Sequence, residues 1–164
     1  MPIKYDVNFI NPFLHAVMHV LNTMAEVDVT PGKPYINKKR VSQGDITGLI
    51  GITGYSSGTV SLSLSEGAVL SIVNNMLMEN YTELEDEIAD AVGEITNMIV
   101  GQARTSLSEQ GMSLDASTPS VVVGRGHKLG HVSNAPILAI PFKTDKGEDL
   151  IVEVCFTGAE EAGS

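Results

Sequence analysis

Between residues 82 and 107, Leu84, Ile88, Ala91, Val92, Ile95, Met98, Ile99 and Ala103 recur at steps of three and four. That is the period of a helix with one face turned to a core. Thr82 and Glu85 have the spacing of a capping box and predict where the helix starts. The opposite face keeps the same period with different chemistry: Glu87, Asp90, Glu94, Asn97, Gly101 and Arg104 form one polar stripe. Gly93 and Gly101 lie four residues either side of Asn97, although a helical glycine costs about 1 kcal/mol relative to alanine. Their bareness predicts a surface stripped around the Asn97 amide, where another backbone or a bulky partner could come close.

An earlier helix is predicted from Asn11 as cap, with Pro12 in its first turn, to about Ala25. Phe13, Leu14, Val17, Leu21 and Met24 make its core face, and His15, His19, Asn22 and Glu26 its polar one. Val27, Val29, Tyr35 and Ile36 then read as an extended edge interrupted at Thr30, Pro31 and Gly32. Residues 46–54 and 59–65 are strands joined by a hairpin turn, the second alternating Val60, Leu62 and Leu64 with Thr59, Ser61 and Ser63. Ser65 caps a shorter helix to about Glu79, with Val69, Leu70, Val73, Met76 and Leu77 as core. Residues 112–123 contain a strand that Pro119 confines to an edge or a bulge. Residues 124–131 are a glycine-rich loop, residues 136–142 and 150–156 are strands joined by a turn at 144–147, and residues 158–164 are a tail.

Each half of the chain therefore runs helix, then three strand segments, with the short helix between the halves. His19 and Asn22 repeat the spacing of Glu94 and Asn97. The expected fold class is α+β: a mostly antiparallel sheet, two long helices on one face, and an internal pseudo-duplication. One domain over residues 1–157 accounts for the pattern, followed by a flexible end over 158–164.

Composition narrows the function. Twenty acidic against ten basic residues give a net charge of −10, which disfavours nucleic acid and anionic membrane surfaces. No apolar run is long enough to span a bilayer, and the start carries no secretory pattern, so a cytoplasmic location is expected. The one cysteine, Cys155, reads as a small buried hydrophobe. His15 and His19 supply half a zinc site at best, and His127 and His131 lie in the glycine-rich loop. The segment 124–131 lacks the ending of a phosphate-binding loop.

Asp90, then Glu94, then Asn97, with Pro119 about two dozen positions later, resembles the active-site signature of the chemotaxis phosphatases CheC, CheX and FliY. The single intact motif in a short chain, and the order of elements, look most like the CheX branch. The resemblance implies a CheC-like fold, homodimers associating through their sheets, and removal of the phosphoryl group from the phosphoaspartate of a CheY-type response regulator. It implies that Asn97 holds the attacking water, that Glu94 pairs with a regulator lysine, and that Asp90, Gly93, Gly101 and Pro119 shape the site. It implies no cofactor of the protein's own, because Mg2+ belongs to the regulator. A carboxamide is a poor general base, so Asn97 makes chemical sense as a positioning group. With His19 where a second site would have glutamate, one site per chain is expected. Two other readings of the stripe are a module that binds a receiver domain or flagellar component without catalysis, and the solvated face of a structural homodimer.

Overall fold

The computed structural model describes residues 2–131 and 133–161. After a short strand β1 (Lys4–Tyr5), helix α1 spans Val7–Ala25, so it begins before Asn11. Asp6 is the cap, accepting a hydrogen bond from the Phe9 amide at 3.2 Å. Pro12 is buried inside the helix, where it has no N–H for the Asn8 carbonyl. Gln110 Nε2 donates to that carbonyl at 2.8 Å instead, so a residue near the other helix removes the penalty that made Pro12 look like a first-turn residue.

The chain continues as β2 (Val29–Pro31), β3 (Tyr35–Ile36), β4 (Val41–Gly54), β5 (Gly58–Leu64), α2 (Glu66–Leu77), α3 (Asp86–Glu109), β6 (Leu114–Ala116), β7 (Ser120–Gly130), β8 (Ile137–Thr144), β9 (Asp149–Phe156) and β10 (Glu160–Glu161). The main sheet runs β2-β8-β9-β5-β4-β6, with β3 also on β8 and β7 also on β4, and all of its pairs are antiparallel. That order contains the expected duplication. Each half contributes a broken edge strand and two long strands, and the halves exchange edges: β2 and β3 pair with β8, while β6 and β7 pair with β4. The two halves meet at the central β5–β9 pair. The fold is α+β, with α1 and α3 packed together over one face.

Alternation decides which face that is. Ile46, Ile50, Ile52, Val60, Leu62, Leu64, Leu138, Ile140, Phe142, Leu150, Val152, Val154 and Phe156 share one buried cluster with helix residues Val17, Leu21, Ile88, Ile95 and Ile99. These five helix positions turn inward as their spacing predicts.

Several expectations are corrected. Helix α3 starts at Asp86 with Glu85 as a cap that makes no side-chain bond, so the Thr82–Glu85 capping box does not form. Met24 and Leu77, assigned to the core, are 42% and 40% exposed, because each lies in the last turn of its helix. Residues 124–130 are strand: β4 extends back to Val41, and β7 pairs with it through a register shift between Gly44 and Ile46. Asp45, at that shift, accepts the Gly126 and Glu66 amides at 2.7 Å each, and these bonds hold its carboxyl below the usual range. The glycines that resemble a loop thus serve a bulge, with Gly126 at φ 64. Beyond residue 157, Ala159 is buried and Glu160–Glu161 pairs in parallel with β1; residues 162–164 lie outside the described residues. Among the described residues no helix is long and apolar enough to cross a membrane.

Candidate active site

The position of α3 is set by a glycine on the sheet. A Cβ on Gly48 would overlap Thr96 Oγ1 and stand 3.0 Å from Thr96 Cβ, so the bare backbone there lets the helix sit directly on β4. Thr96 is 1% exposed, and its hydroxyl donates to the Val92 carbonyl at 2.7 Å. With Thr96 buried downward, Asp90, Glu94 and Asn97 are all exposed. Among the described residues none of the three is engaged in a side-chain hydrogen bond or ion pair.

Gly93 and Gly101 part company. Gly93 is buried, and a Cβ there would lie 3.5 Å from Val121 Cγ2 and 3.8 Å from Pro119 Cγ. Its bareness admits the edge strand, which corrects its assignment to the exposed surface. Pro119 stands between β6 and β7, where the strand is interrupted as expected, and this contact brings it against the helix at Gly93. A Cβ on Gly101 would touch nothing within 4 Å, and its φ is not in the left-handed region. Nothing in its own fold requires that glycine. At about 100° per residue, Asn97 lies about 40° from Gly93, and Glu94 about 60° farther round, away from Pro119. The far end of the stripe is fixed: Arg104 Nε donates to the Leu114 carbonyl at 2.7 Å, with Nη2 4.0 Å from Asp115.

The equivalent stripe on α1 differs in one decisive contact. Asn22 Nδ2 donates to Asp28 Oδ1 at 2.7 Å, so this amide is occupied where that of Asn97 is open. His15 and His19 are exposed on α1. His127 and His131 sit on or next to β7, hydrogen-bonded to Thr47 Oγ1 at 2.8 Å and Ser42 Oγ at 2.7 Å. Among the described residues, three or more His, Cys, Asp or Glu side chains nowhere gather in a metal-binding group.

The field over the site is negative. No lysine or arginine lies between Arg40 and Arg104, while Asp86, Glu87, Asp90 and Glu94 are exposed along the first half of α3. Sequence reasoning found the exposed residues and missed Gly48, Thr96 and Val121, which position them. Their partners lie on other strands, so no local period marks them.

The family described as chemotaxis phosphatase CheX matches residues 46–143, well over half of the chain. The chain belongs to that family. The CheY-P phosphatase CheX of Thermotoga maritima is 29% identical over 147 residues, covering 88% of this chain and 93% of that protein. A crystal structure of a CheC-like superfamily protein from Shewanella sp. PV-4 is 40% identical, with a TM-score of 0.87, over 93% of this chain and 99% of that one. The CheX–CheY–BeF3–Mg2+ complex from Borrelia burgdorferi shares the fold at 23% identity and TM-score 0.75, over 93% and 99% of the two chains.

Proposed function

We propose that the protein dephosphorylates the phosphoaspartate of a CheY-type response regulator, with Asn97 and Glu94 as the residues that act. The observation that carries this reading is the pair of unengaged polar side chains on a rigid helix, beside Pro119, in a chain of this family. Asn97 enters the regulator's site and holds a water in line with phosphorus, its amide serving as both donor and acceptor. The water's oxygen bonds to phosphorus as the bond to the acyl oxygen breaks, releasing phosphate and leaving the regulator's carboxylate. Glu94 pairs with a lysine of the regulator and fixes the docking, while Asp90 and the acidic turn before it favour the approach of a basic rim. Gly101 leaves room for the regulator beside Asn97, and Gly93 keeps Pro119 close. The magnesium belongs to the regulator, as the complex of the Borrelia relatives suggests; there it offsets charge on the transferring oxygens.

The test is the decay of CheY-type receivers from the same organism, phosphorylated by a small phosphodonor and followed in single turnover with and without this protein. Asn97→Ala is expected to abolish most of the acceleration while binding and thermal unfolding persist, since the side chain is exposed and alanine is the better helix former. Glu94→Ala is expected to weaken association more than it slows bound turnover. Tight binding with no acceleration by the native protein would make it a binding module instead.

A further inference from the structure

The proposed chemistry leaves unused a cleft on the sheet face turned away from the helices. Val60 and Leu62 of β5 enter the core beneath the helices, so Ser61 between them points to the other face. Residues of β4, β5, β7 and β9, with Ser133 beyond β7, surround a cleft of about 270 Å³ there. Its walls are apolar at Leu49, Val122, Leu129 and Cys155. Ser42 and Ser61 place hydroxyls among them. Ser42 Oγ is bonded to His131 Nε2 at 2.7 Å, and Cys155 Sγ donates to the Ala135 carbonyl at 3.7 Å. Ser61 differs: it is 4% exposed, and its Oγ has no hydrogen-bond partner among the described residues.

The register explains why. Ser63, two residues on, stands opposite Thr47, and the two hydroxyls bond at 2.9 Å. Ser61 stands between Leu49 on β4, which offers no polar atom, and Glu153 on β9, whose carboxylate is met by Asn37 Nδ2 at 2.7 Å. A buried hydroxyl left unpaired carries its whole desolvation penalty, which a bonding group brought in from outside would offset. The remaining walls say what that group is attached to. Among the described residues the cleft is lined by no Lys, Arg, Asp or Glu, so a charged ligand would lose its water and gain no counter-charge. A dry cavity of about 150 Å³ takes one benzene ring, and this cleft has room for two fused rings against Leu49, Val122 and Leu129. We propose that it binds a small, uncharged bicyclic aromatic compound carrying one hydroxyl, which exchanges a hydrogen bond with Ser61. The helices lie on the opposite face, so this site is separate from Asn97 and does not rest on the reading of α3.

The probes are 2-naphthol and naphthalene, two molecules of one shape that differ in the hydroxyl. Their fluorescence can be followed directly, because the chain has no tryptophan. The native chain is expected to take up one 2-naphthol per chain with a Kd below about 1 mM, and to bind naphthalene about five- to tenfold more weakly. Ser61→Ala should weaken 2-naphthol by about the same factor, leave naphthalene unchanged or tighter, and raise Tm in the absence of either probe, since the unpaired hydroxyl is gone. Val122→Phe, which adds bulk on a half-buried wall, should weaken both probes at least about tenfold; thermal unfolding checks the fold of each variant. The absence of saturable binding to the native chain overturns the proposal. Equal affinity of the native chain for the two probes also overturns it and makes the cleft an apolar hollow, a comparison that needs no variant to fold. A 2-naphthol affinity that ignores Ser61→Ala overturns the assignment to that hydroxyl. Receiver dephosphorylation is read separately, so failure of this site and failure of the Asn97 mechanism are distinguishable.

Discussion

Gly48→Ala is expected to damage the site without touching any residue in it. The new Cβ would overlap Thr96 Oγ1, and rotating that hydroxyl away does not help, because Thr96 Cβ and Cγ2 stand at 3.0 and 3.3 Å. Both atoms are closer than normal packing allows, so α3 must lift by a few tenths of an ångström. Overpacking of this kind costs about 1–3 kcal/mol, which lowers Tm by roughly 3–9 °C for a domain of this size. Thr96 lies two residues after Glu94 and one before Asn97, so the lift moves both. A displacement near 1 Å costs about a hundredfold in a positioned reaction, and the smaller lift should therefore slow regulator dephosphorylation by about three- to tenfold. The companion variant is Gly48→Ala with Thr96→Ala, which removes the hydroxyl and methyl that collide and should recover at least half of both losses. Differential scanning calorimetry and single-turnover receiver decay measure the two effects. Unchanged Tm and unchanged decay in Gly48→Ala would refute the claim that this contact sets the helix, and purely additive losses in the double variant would refute the contact itself.

The two helical glycines should separate stability from access. Gly93→Ala makes ordinary contacts and should gain up to about 1 kcal/mol, Gly93→Leu should push Pro119 away and lose both stability and activity, and Gly101→Leu should leave Tm unchanged or higher while it slows receiver decay by obstruction. The Tyr5 hydroxyl donates to the Pro136 carbonyl and accepts the Phe156 amide, at 2.8 and 3.0 Å, and burial pushes its pKa up to about 12. Tyr5→Phe should cost about 1–3 kcal/mol at neutral pH. The phenol's contribution is whole below its ordinary pKa of 10.0 and disappears as pH rises toward 12, so the Tm difference should narrow over that window. Asp45 shows the opposite sign: the Gly126 and Glu66 amides lower its pKa, so its contribution is whole above 3.8 and fades as pH falls below it. Asp45→Asn should therefore lower Tm at neutral pH, by a gap that closes under acid; a gap constant with pH would remove the ionised carboxylate from the account.

What the sequence determined by itself was periodicity and chemistry. The apolar steps of α3 place Ile88, Ile95 and Ile99 in the core, and the same steps put Asp90, Glu94 and Asn97 on one open edge, because a helix converts spacing directly into direction. The repeated order of elements was legible for the same reason, and the sheet realises it by exchanging edges between halves. Tertiary structure decided whatever depends on a partner distant in the chain. Pro12 belongs inside α1 because Gln110 serves the carbonyl it leaves bare, and residues 124–130 become strand because the lengthened β4 offers them a ladder around Asp45. The silence of the α1 stripe has a similar origin: the spacing of Asn22 equals that of Asn97, yet Asp28 holds its amide. Gly93 and Gly101 look alike in sequence, and only the approach of Val121 and Pro119 to one of them distinguishes packing from open space. Spacing along a helix fixes which way a residue faces, whereas what it meets there is set by chain segments that the fold brings back from far away.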